Sequence, residues 1–438
     1  MESERRGCVR LLKLKYNSQE EDSLTTTKPF TIPKNLVVKA YRLVKENKGA
    51  AGVDQQSLDD FDKNLKDNLY RIWNRLSSGS YFPPAVKAVP IPKKNGGERI
   101  LGIPTVSDRI AQMVVKLVFE PTVEPHFLPD SYGYRPNKSA LDAVGITRQR
   151  CWRYNWVLEF DIKGLFDNID HELLMKAVRK HTSEKWVILY IERWLKAPVQ
   201  LSDGTLVERT KGTPQGGVIS PVLSNLFLHY VFDAWMTRKH PTMPWCRYAD
   251  DGLVHCRTVQ EAQQILATLT QRFAECKLEL HPAKTKIVYC KDGKRRGDYP
   301  QTEFDFLGFT FRRRMVKGKQ NNLFVSFTPA ASKTASKSMR AKTRERNLQR
   351  RTDLELKDIA KMVNPVIRGW IEYYGRYHRS ALEPVFRHFN MKLVAWVKRK
   401  YKRFKGHKTR AAIFLEKLSE RQPQLFAHWK IGMVGAFA

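Results

Sequence analysis

The spacing of apolar residues predicts helices near the start of the chain. In residues 34–48 they recur every three or four positions, as on one face of an amphipathic helix, and a second such pattern covers residues 61–76. The pattern then changes to strand-like runs in residues 86–92 and 99–103, which an Asn-Gly turn connects. We therefore expect helices followed by a β-hairpin.

From residue 156 onward, strand-like and helical patterns alternate. The order is a strand, a helix, a hairpin, a helix, a second hairpin, a helix and further strands. Such alternation predicts an α+β fold in which an antiparallel sheet has helices packed on one face. The main segments are residues 156–162, 199–208, 220–236, 245–256, 260–276, 285–290 and 304–312.

Two adjacent carboxylates lie at the tip of the hairpin at residues 245–256. The tip is Tyr248-Ala249-Asp250-Asp251, between strand-like runs at residues 245–248 and 252–256. Acids this close repel each other unless water, a cation or a metal ion neutralises them, so a protein that keeps them in an apolar hairpin has a use for them. The alternative is an ordinary Asp-Asp turn, which is the more common explanation for four such residues alone.

A third acid, Asp161, ends the apolar strand of residues 156–162, and a turn into a helix follows it. The end of a core strand is where such folds place groups that face a ligand. In the predicted sheet Asp161 lies near Asp250 and Asp251, which is the layout of a polymerase palm. By itself, Asp161 is equally well explained as a helix N-cap or as the partner of Lys163.

Three loops carry residues suited to an anionic ligand. Lys93 and Arg99 flank the tip of the first hairpin, where a cation can reach a phosphate, although a solvated basic loop is the more common explanation. Residues 132–139 mix aromatic, basic and turn residues, as in loops that hold a nucleic-acid backbone, and an ordinary packed turn is the alternative. A Gly-Gly pair at residues 216–217 precedes the next helix, where small residues let an anion approach the helix N-terminus.

Composition narrows the class of partner. The chain has 438 residues, 42% of them hydrophobic, which is enough for the cores of two or three globular domains. Its 78 Lys and Arg exceed its 44 Asp and Glu and leave a net charge of +34, which favours a polyanionic partner. Nucleic acid is therefore the expected partner.

The compartment follows from what the sequence lacks. It has no signal peptide and no uninterrupted apolar run of about 18 residues, which argues against a membrane partner. Its six cysteines form no Cys-x-x-Cys pair, which argues against a zinc finger and a disulfide framework. We expect a bacterial-type cytoplasmic protein associated with the nucleoid or with RNA.

Positive charge is concentrated late in the chain. Residues 333–410 hold 23 Lys and Arg against 6 Asp and Glu, which is half of the net charge in under a fifth of the length. Apolar and aromatic residues recur there at helical spacing. A helical bundle with a basic face suits a grip on a nucleic-acid duplex. Charge runs are usually solvated faces, but this density exceeds what solubility requires.

Seven sequence blocks, in chain order, carry a resemblance to a known family: residues 92–109, 131–136, 160–167, 212–217, 248–251, 282–285 and 306–309. They resemble the blocks of the reverse transcriptases encoded by group II introns, the intron-encoded reverse transcriptase/maturase family. Residues 368–374 and 396–401 look like the family's maturase segment, which binds intron RNA and helps it fold for splicing. The resemblance covers residues 34–430, nearly the whole chain.

The resemblance implies that Asp161, Asp250 and Asp251 are the catalytic residues and that, with Ile162, they hold two Mg²⁺ ions, for which Mn²⁺ could substitute. One ion would activate the primer 3′-hydroxyl and the other would stabilise the pyrophosphate leaving group. Hard oxygen ligands such as these carboxylates suit Mg²⁺ better than zinc. Asp250 is implied to be the firm ligand, the exact role of Asp251 stays open, and Tyr248 is expected to support the primer end.

The resemblance also implies a nucleotide site and contacts with nucleic acid. Lys93 and Arg99 match the fingers cations that bind the incoming triphosphate, and Gln215 matches the residue beside its sugar and base. Phe166, five residues after Asp161, matches the steric gate that excludes a ribose 2′-hydroxyl, with a plain core Phe as the alternative. Tyr134 and Arg135 are implied to touch either the template or the fingers backbone, and Gly308 belongs to the turn of residues 306–308 that supports the primer end. The other implied contacts with nucleic acid are Lys284, Arg368, Lys398, Arg399 and Lys400.

The expected domains follow the family order. They are a flexible lead-in at residues 1–33, fingers and palm at 34–328, a helical thumb/maturase domain at 329–405, and a short basic and aromatic extension at 406–438 without an endonuclease domain.

The implied function is RNA-dependent DNA polymerisation, together with binding of a group II intron RNA to assist its splicing and mobility. The implied partners are the intron RNA template, an RNA/DNA duplex, deoxynucleoside triphosphates and target DNA. Two alternatives stay open: a related enzyme domesticated for defence or repair without an intron, and a non-catalytic RNA-binding splicing factor. The three acids argue against the last, because a pure binder has no reason to keep them beside a polyanion.

Overall fold

A computed structural model describes residues 28–92, 97–318 and 320–434. The chain divides into two compact units, each built from separated stretches of sequence. The first unit holds the described residues up to Thr122 together with Val178–Ser220, and the second holds Val123–Ala177 and the described residues from Pro221 onward. None of the helices in the described part of the chain combines the length and the hydrophobicity that a membrane span requires.

Helices and strands alternate along the described chain much as the apolar pattern predicts. The strands are β1 (Val86–Pro92), β2 (Glu98–Ile103), β3 (Trp156–Asp161), β4 (Val199–Gln200), β5 (Leu206–Val207), β6 (Trp245–Tyr248), β7 (Asp251–Cys256), β8 (Lys286–Tyr289), β9 (Phe304–Phe306), β10 (Phe309–Lys317) and β11 (Leu323–Ala331). The α-helices are α1 (Lys34–Asn47), α2 (Leu58–Lys63), α3 (Leu65–Ser77), α4 (Val106–Val123), α5 (Ala140–Arg153), α6 (Leu165–Asn168), α7 (His171–His181), α8 (Lys185–Lys196), α9 (Ser220–Leu228), α10 (Ala234–Lys239), α11 (Val259–Glu275), α12 (Lys333–Glu345), α13 (Leu356–Tyr374), α14 (Glu383–Lys400) and α15 (Lys408–Arg421).

The first unit contains a four-stranded sheet in the order β2-β1-β4-β5. β1 and β2 form the predicted antiparallel hairpin, and β4 joins β1 in parallel. The predicted helix of residues 61–76 is two helices, because Asn64 leaves helical geometry between α2 and α3. From Ser107 to Phe119 the apolar pattern also predicts a helix that stops at Pro121, but α4 continues to Val123 with the proline inside its last turn.

The predicted flexible lead-in is only partly within the described residues. Residues 1–27 lie outside them. Residues 28–33 are packed against α3, where the backbone N–H of Phe30 donates to the carbonyl of Ser77 at 3.1 Å. The indole of Trp73 donates to the carbonyl of Ile32 at 2.7 Å. The first helix therefore starts from a segment that is already anchored.

The second unit contains the predicted antiparallel sheet, in the order β6-β7-β3-β8. Helix α11 packs against β3, β7 and β8, and its Phe273 contacts Phe160 with ring centroids 5.8 Å apart. The opposite face of the sheet, which includes Val157 and Leu253, shares a core with Ala143 of α5. Helices thus cover both faces, so the prediction of helices on one face is incomplete, while the α+β class is as predicted.

The last four helices share one hydrophobic core with the chain segment that follows them. This core runs from Ala335 of α12 to Met433 and includes Phe426 and Trp429. The described part of the predicted extension at residues 406–438 therefore belongs to the helical domain and is not a separate tail.

A buried asparagine ties this end of the chain to α14. Asn390 accepts hydrogen bonds from His428 Nε2 at 2.7 Å and Trp429 Nε1 at 3.3 Å, and donates to the carbonyl of Met433 at 3.3 Å. We call Asn390, His428, Trp429 and the Met433 carbonyl the Asn390 network.

Candidate active site

Strand pairing brings the three predicted acids together at one edge of the second unit's sheet. β3 and β7 are antiparallel, with Asp161 directly opposite Asp251. Residues opposed in this way have Cβ atoms about 5 Å apart on the same face of a sheet. Asp250 belongs to the two-residue turn between Tyr248 and Asp251. We call Asp161, Asp250 and Asp251 the carboxylate cluster.

The carboxylate cluster concentrates negative charge in a poorly solvated place. Burial raises the pKa of Asp250, and the nearby charge of Asp161 adds to this effect. Burial raises the pKa of Asp251 to about 7, with further contributions from the charges of Asp250, Asp161 and Glu159. Both shifts have the sign expected when a carboxylate loses water and gains negative neighbours. The cluster is therefore electrostatically suited to a cation.

A lysine supplies part of the missing positive charge. Lys284 Nζ lies 2.8 Å from Asp161 Oδ2, and the hydrogen bond to Asp161 raises the pKa of this lysine. Its side chain is half exposed. Lys284 was predicted to contact nucleic acid, and the structure places its ammonium against a predicted metal ligand.

The described residues contain no three His, Cys, Asp or Glu side chains already arranged around a metal position. The donor chemistry of the carboxylate cluster nevertheless fits a hard divalent cation, because Mg²⁺ takes only one or two carboxylates and completes its shell with water and phosphate oxygens. The fourth predicted ligand, Ile162, has a buried side chain, which leaves its backbone carbonyl as its donor. Lys284 contacts Oδ2 of Asp161, so a cation that binds this oxygen would compete with the lysine.

The predicted steric gate follows the first acid by a short turn. Gly164 takes a left-handed φ of 57° and starts α6, which contains Phe166. Leu165 is buried, whereas Phe166 is half-buried. Phe166 is therefore not a fully buried core residue, and its role stays a prediction.

In the first unit, strand β2 connects two of the predicted nucleotide contacts, because it carries Arg99 and binds the backbone of Gln215. Gly102 N donates to the carbonyl of Gln215 at 2.7 Å, and a Cβ on Gly216 would lie 2.4 Å from the Gly102 oxygen. The Gly-rich turn thus packs directly on β2, which also carries the exposed Arg99. The position of Lys93 lies outside the described residues.

A buried network not foreseen from the sequence holds the Gly-rich turn. Asp108 accepts hydrogen bonds from the side chains of Tyr81 (2.9 Å), Gln112 (2.9 Å) and Trp194 (2.7 Å). Gln112 Oε1 in turn accepts from the backbone N–H of Val218 at 2.7 Å. The turn that carries the predicted nucleotide residue is therefore anchored to the interior of the first unit.

Comparison with known families agrees with this arrangement. The family profile described as Reverse transcriptase (RNA-dependent DNA polymerase) matches residues 91–311, half of the chain. The chain belongs to the reverse transcriptase family. A second profile, described as Group II intron, maturase-specific domain, matches residues 336–412. The resemblance to group II intron reverse transcriptase/maturases is thereby confirmed, and the two alternative functions are not favoured.

Named relatives support the same assignment. Protein YkfC of Escherichia coli (strain K12) is 32% identical over 296 residues, which are 59% of this chain and 77% of that protein. The group II intron-encoded protein LtrA of Lactococcus lactis subsp. cremoris is 33% identical over 224 residues, 50% of this chain and 37% of LtrA. The COX1/OXI3 intron 1 protein of Saccharomyces cerevisiae is 29% identical over 228 residues, 51% of this chain and 27% of that protein. The chain thus matches well under half the length of the latter two relatives.

Membership of this family makes the protein an RNA-directed DNA polymerase by class, with nucleic acid as its substrate. Reverse transcriptase domains use divalent metal ions, which agrees with the charge of the carboxylate cluster. The maturase-specific match falls on the basic region noted in the sequence.

The aromatic and basic loop at residues 132–139 has a structural function in this reverse transcriptase. The side chain of Arg135 is 7% exposed and pairs with Glu124 at 2.7 Å. Its guanidinium also donates to the carbonyls of Leu128 at 2.7 Å and Ser131 at 2.8 Å. This geometry argues against a direct nucleic-acid contact of Arg135, because its donors are occupied inside the protein, and it agrees with the alternative of an ordinary packed turn. Tyr134 is exposed, so its predicted contact stays possible on steric grounds.

The predicted primer-end turn is supported by the maturase helix α13. Leu307 and Gly308 both have positive φ, and the hydroxyl of Tyr373 donates to the Leu307 carbonyl at 2.9 Å. A Cβ on Gly308 would lie 3.2 Å from the hydroxyl of Tyr374. The turn splits the predicted strand of residues 304–312 into β9 and β10, and within the second unit it joins the palm to the helical domain.

The basic residues predicted to bind RNA differ in accessibility. Arg368 and Arg399 are exposed, and Lys398 is half-buried. Lys400 Nζ is committed to the protein, since it lies 2.9 Å from Glu355 and donates to the carbonyl of Thr352 at 2.9 Å. The geometry therefore argues against the predicted RNA contact of Lys400 and is compatible with the other three.

Two neighbours of the carboxylate cluster escaped the sequence reasoning. Glu159 lies two residues before Asp161 and so on the same face of β3, a spacing that could have revealed it. Burial raises the pKa of Glu159 to about 7, against the opposing charge of Lys286. Gly252 faces Phe160, and a Cβ there would lie 2.1 Å from the ring. Only a residue without a side chain lets β7 approach β3 beside Asp251.

Proposed function

We propose that this protein copies RNA into DNA at the carboxylate cluster and, as a maturase, binds a group II intron RNA to assist its splicing and mobility. The observation that carries the proposal is the opposition of Asp161 and Asp251 beside Asp250. A charge cluster whose burial raises the pKa of Asp251 to about 7 destabilises the free protein unless a cation is taken up. The basic maturase-specific region supports the RNA-binding part.

We assign Asp161 and Asp250 as the principal ligands of two Mg²⁺ ions, with the Ile162 carbonyl and Asp251 completing the site and Mn²⁺ as a substitute. Bound there, the ions would lower the pKa of the primer hydroxyl and neutralise the charge of the leaving pyrophosphate. Asp161 and Asp251 hold their oxygens in place through the β3–β7 pairing. Lys284 neutralises Asp161 until the metal and nucleotide arrive.

As the resemblance implies, we assign Arg99, Gln215 and Lys93 to binding of the incoming deoxynucleoside triphosphate, and Phe166 to the role of steric gate. A guanidinium on a hairpin strand is suited to phosphate oxygens. The backbone anchoring of Gln215 to β2 supports a precise position for the base and sugar. A half-buried ring at Phe166 leaves a face available to exclude a 2′-hydroxyl.

Primer extension on an RNA template with Mg²⁺ tests the proposal. We expect the wild type to extend the primer and Asp250→Ala to be slower by about a thousandfold, because a metal supplies several kcal/mol of charge stabilisation. Asp298→Ala is the control, since Asp298 is an exposed acid outside the cluster. Equal extension by wild type and Asp250→Ala would reject the site, and no extension by the wild type would reject the activity.

With ribonucleotides supplied instead of deoxynucleotides, Phe166→Ala should extend the primer and the wild type should not. Equal extension by the two proteins would reject the role of Phe166 as a steric gate.

A further inference from the structure

Arg247, two residues before the Ala249-Asp250 turn, has a fully buried charge. The side chain of Arg247 has no exposed surface and makes five hydrogen bonds. Its Nε and Nη2 donate to the carboxylate of Asp233 at 2.7 and 2.6 Å, and Nη2 also donates to Ser131 Oγ at 2.8 Å. Its Nη1 donates to Asn225 Oδ1 at 3.1 Å and to the carbonyl of Ala249 at 3.0 Å. We call these residues the Arg247 network.

The turn that this network touches is strained. Ala249 has a φ of 56°, in the left-handed region that costs a non-glycine residue about 1 kcal/mol. Two contacts keep it there: Nη1 of Arg247 binds its carbonyl, and Gly133 lies against its nitrogen, so closely that a Cβ on Gly133 would be 2.4 Å away. Asn225 Nδ2 holds the Gly133 carbonyl at 2.7 Å. Both supports of the turn therefore meet at Asn225.

The helix that supplies the partners is distorted in a way that suits the network. Asn225 and Asp233 are eight residues apart, and in a regular α-helix they would point in directions about 80° apart. Between α9 and α10, residues His229–Asp233 form a π-helix, whose wider turns rotate less per residue. The distortion brings both side chains to the same guanidinium.

We propose that Arg247 is a positioning residue that, through the Ala249 carbonyl, holds Asp250 in the geometry needed to bind the metal. Burying an ion pair costs desolvation energy, and a well-packed apolar pair would hold the fold equally well. The gain here is a fork of fixed donors that joins the strained turn to a helix and a loop, which a lysine cannot reproduce. The inference rests on the proposed function.

The test compares Arg247→Lys with Arg150→Lys. Arg150 is the control, because it is also an arginine that pairs with an aspartate and binds the backbone of β6. Its Nη2 donates to both carboxylate oxygens of Asp130, and its Nη1 donates to the carbonyl of Trp245, at the end of β6 far from the turn. We expect both variants to have a lower melting temperature than the wild type. Only Arg247→Lys should weaken Mn²⁺ binding, measured by electron paramagnetic resonance, by tenfold or more, and speed hydrogen exchange in the peptide that contains Ala249. Extra Mg²⁺ should restore part of its primer extension.

The outcomes separate the two claims. Equal Mn²⁺ affinity and equal exchange in Arg247→Lys and Arg150→Lys would overturn the positioning role while leaving the function intact. Failure of the wild type to bind Mn²⁺ and to extend a primer would instead overturn the proposed function. If Arg247→Lys does not fold, Asn225→Ala takes its place, with an expected threefold loss of Mn²⁺ affinity and faster exchange at the turn; wild-type values would count against the role.

Discussion

The second unit buries two groups of polar side chains that differ in charge and in hydrogen bonding. The carboxylate cluster gathers like charges, and its acids have raised pKa values. The Asn390 network is neutral: burial lowers the pKa of His428 to about 3, and Asn390 accepts from both neighbouring rings. One group therefore opposes folding without a cation, and the other supports folding by itself.

The difference teaches how to tell a binding site from a structural polar core in this molecule. A buried group retained for the fold is expected to have its hydrogen bonds satisfied inside the protein. A buried group retained for a ligand is expected to be left with an excess of charge that the ligand corrects. The Arg247 network is charged but internally balanced, because Asp233 pairs with it at 2.6 Å. Its hydrogen bonds are satisfied inside the protein, as in a structural group, but its contact with the turn serves the site.

The strongest way to break this comparison is to remove one member of each group. Asn390→Ala should lower the free energy of unfolding by about 3 kcal/mol, because it removes three buried hydrogen bonds. Asp251→Asn should raise it by about 2 kcal/mol at pH 8 without metal, because it removes a charge that the fold disfavours. Urea unfolding in the presence of EDTA measures both values.

The size of the stabilisation by Asp251→Asn depends on pH. The folded-state pKa of Asp251, about 7, is above the ordinary value of 3.8, so the folded wild type takes up a proton first as the pH falls. The advantage of Asp251→Asn should therefore shrink between pH 8 and pH 4. A stability loss in Asp251→Asn at pH 8 would contradict the view that the cluster is strained.

The sequence predicts the carboxylate cluster well, for a local reason. Short apolar strand-like runs place Asp161 at a strand end and Asp250 at a hairpin tip, and both signals come from residues next to these acids in the sequence. The partner that fixes the turn could not be foreseen, because Arg247 meets Asn225 and Asp233 through a π-helix that a 3.6-residue period does not reveal.

Errors in the prediction arose where a partner lies elsewhere in the chain. Arg135 lies in a loop that suits a nucleic-acid backbone or an ordinary packed turn, and its pairing with Glu124, eleven residues earlier, favours the packed turn. Lys400 looked like part of a basic face, but it bonds to the carbonyl of Thr352, 48 residues away. Charge alone thus predicts a basic surface, and only the fold shows which charges remain accessible.

Two buried histidines offer a smaller and more exact comparison. Burial lowers the pKa of His255, on β7, to about 3, as it does for His428. In the unfolded chain these histidines take up a proton near pH 6.5, whereas in the folded protein they stay neutral down to about pH 3. Above pH 6.5 they therefore cost no stability, and as the pH falls each one lowers the free energy of unfolding, by about 2 kcal/mol at pH 5. His255→Leu and His428→Leu should each remove that share of the acid sensitivity, measured by urea unfolding at pH 7 and pH 5.

At pH 7 the two variants should differ in sign. Neither ring nitrogen of His255 has a hydrogen-bond partner among the described residues, so His255→Leu should stabilise the protein by about 1 kcal/mol. His428→Leu should destabilise it by a similar amount, because Asn390 loses its 2.7 Å bond. The same sign for both would contradict the distinction between His428, whose Nε2 is hydrogen-bonded although its Nδ1 has no partner among the described residues, and His255, in which both ring nitrogens lack one.

The smallest expected effects separate two neighbouring cations at the end of α14. Arg399→Gln should weaken binding to a double-stranded RNA about threefold and reduce the salt dependence of binding by about one ion, because Arg399 is exposed. Lys400→Gln should leave the salt dependence unchanged and lower the melting temperature by about 2 °C, because its ammonium holds the carbonyl of Thr352 and the carboxylate of Glu355. RNA titrations at several salt concentrations, with thermal melts of the same samples, measure both. If Lys400→Gln changes the salt dependence as much as Arg399→Gln does, the lysine is available to RNA in solution and the assignment of its ammonium to the fold is wrong.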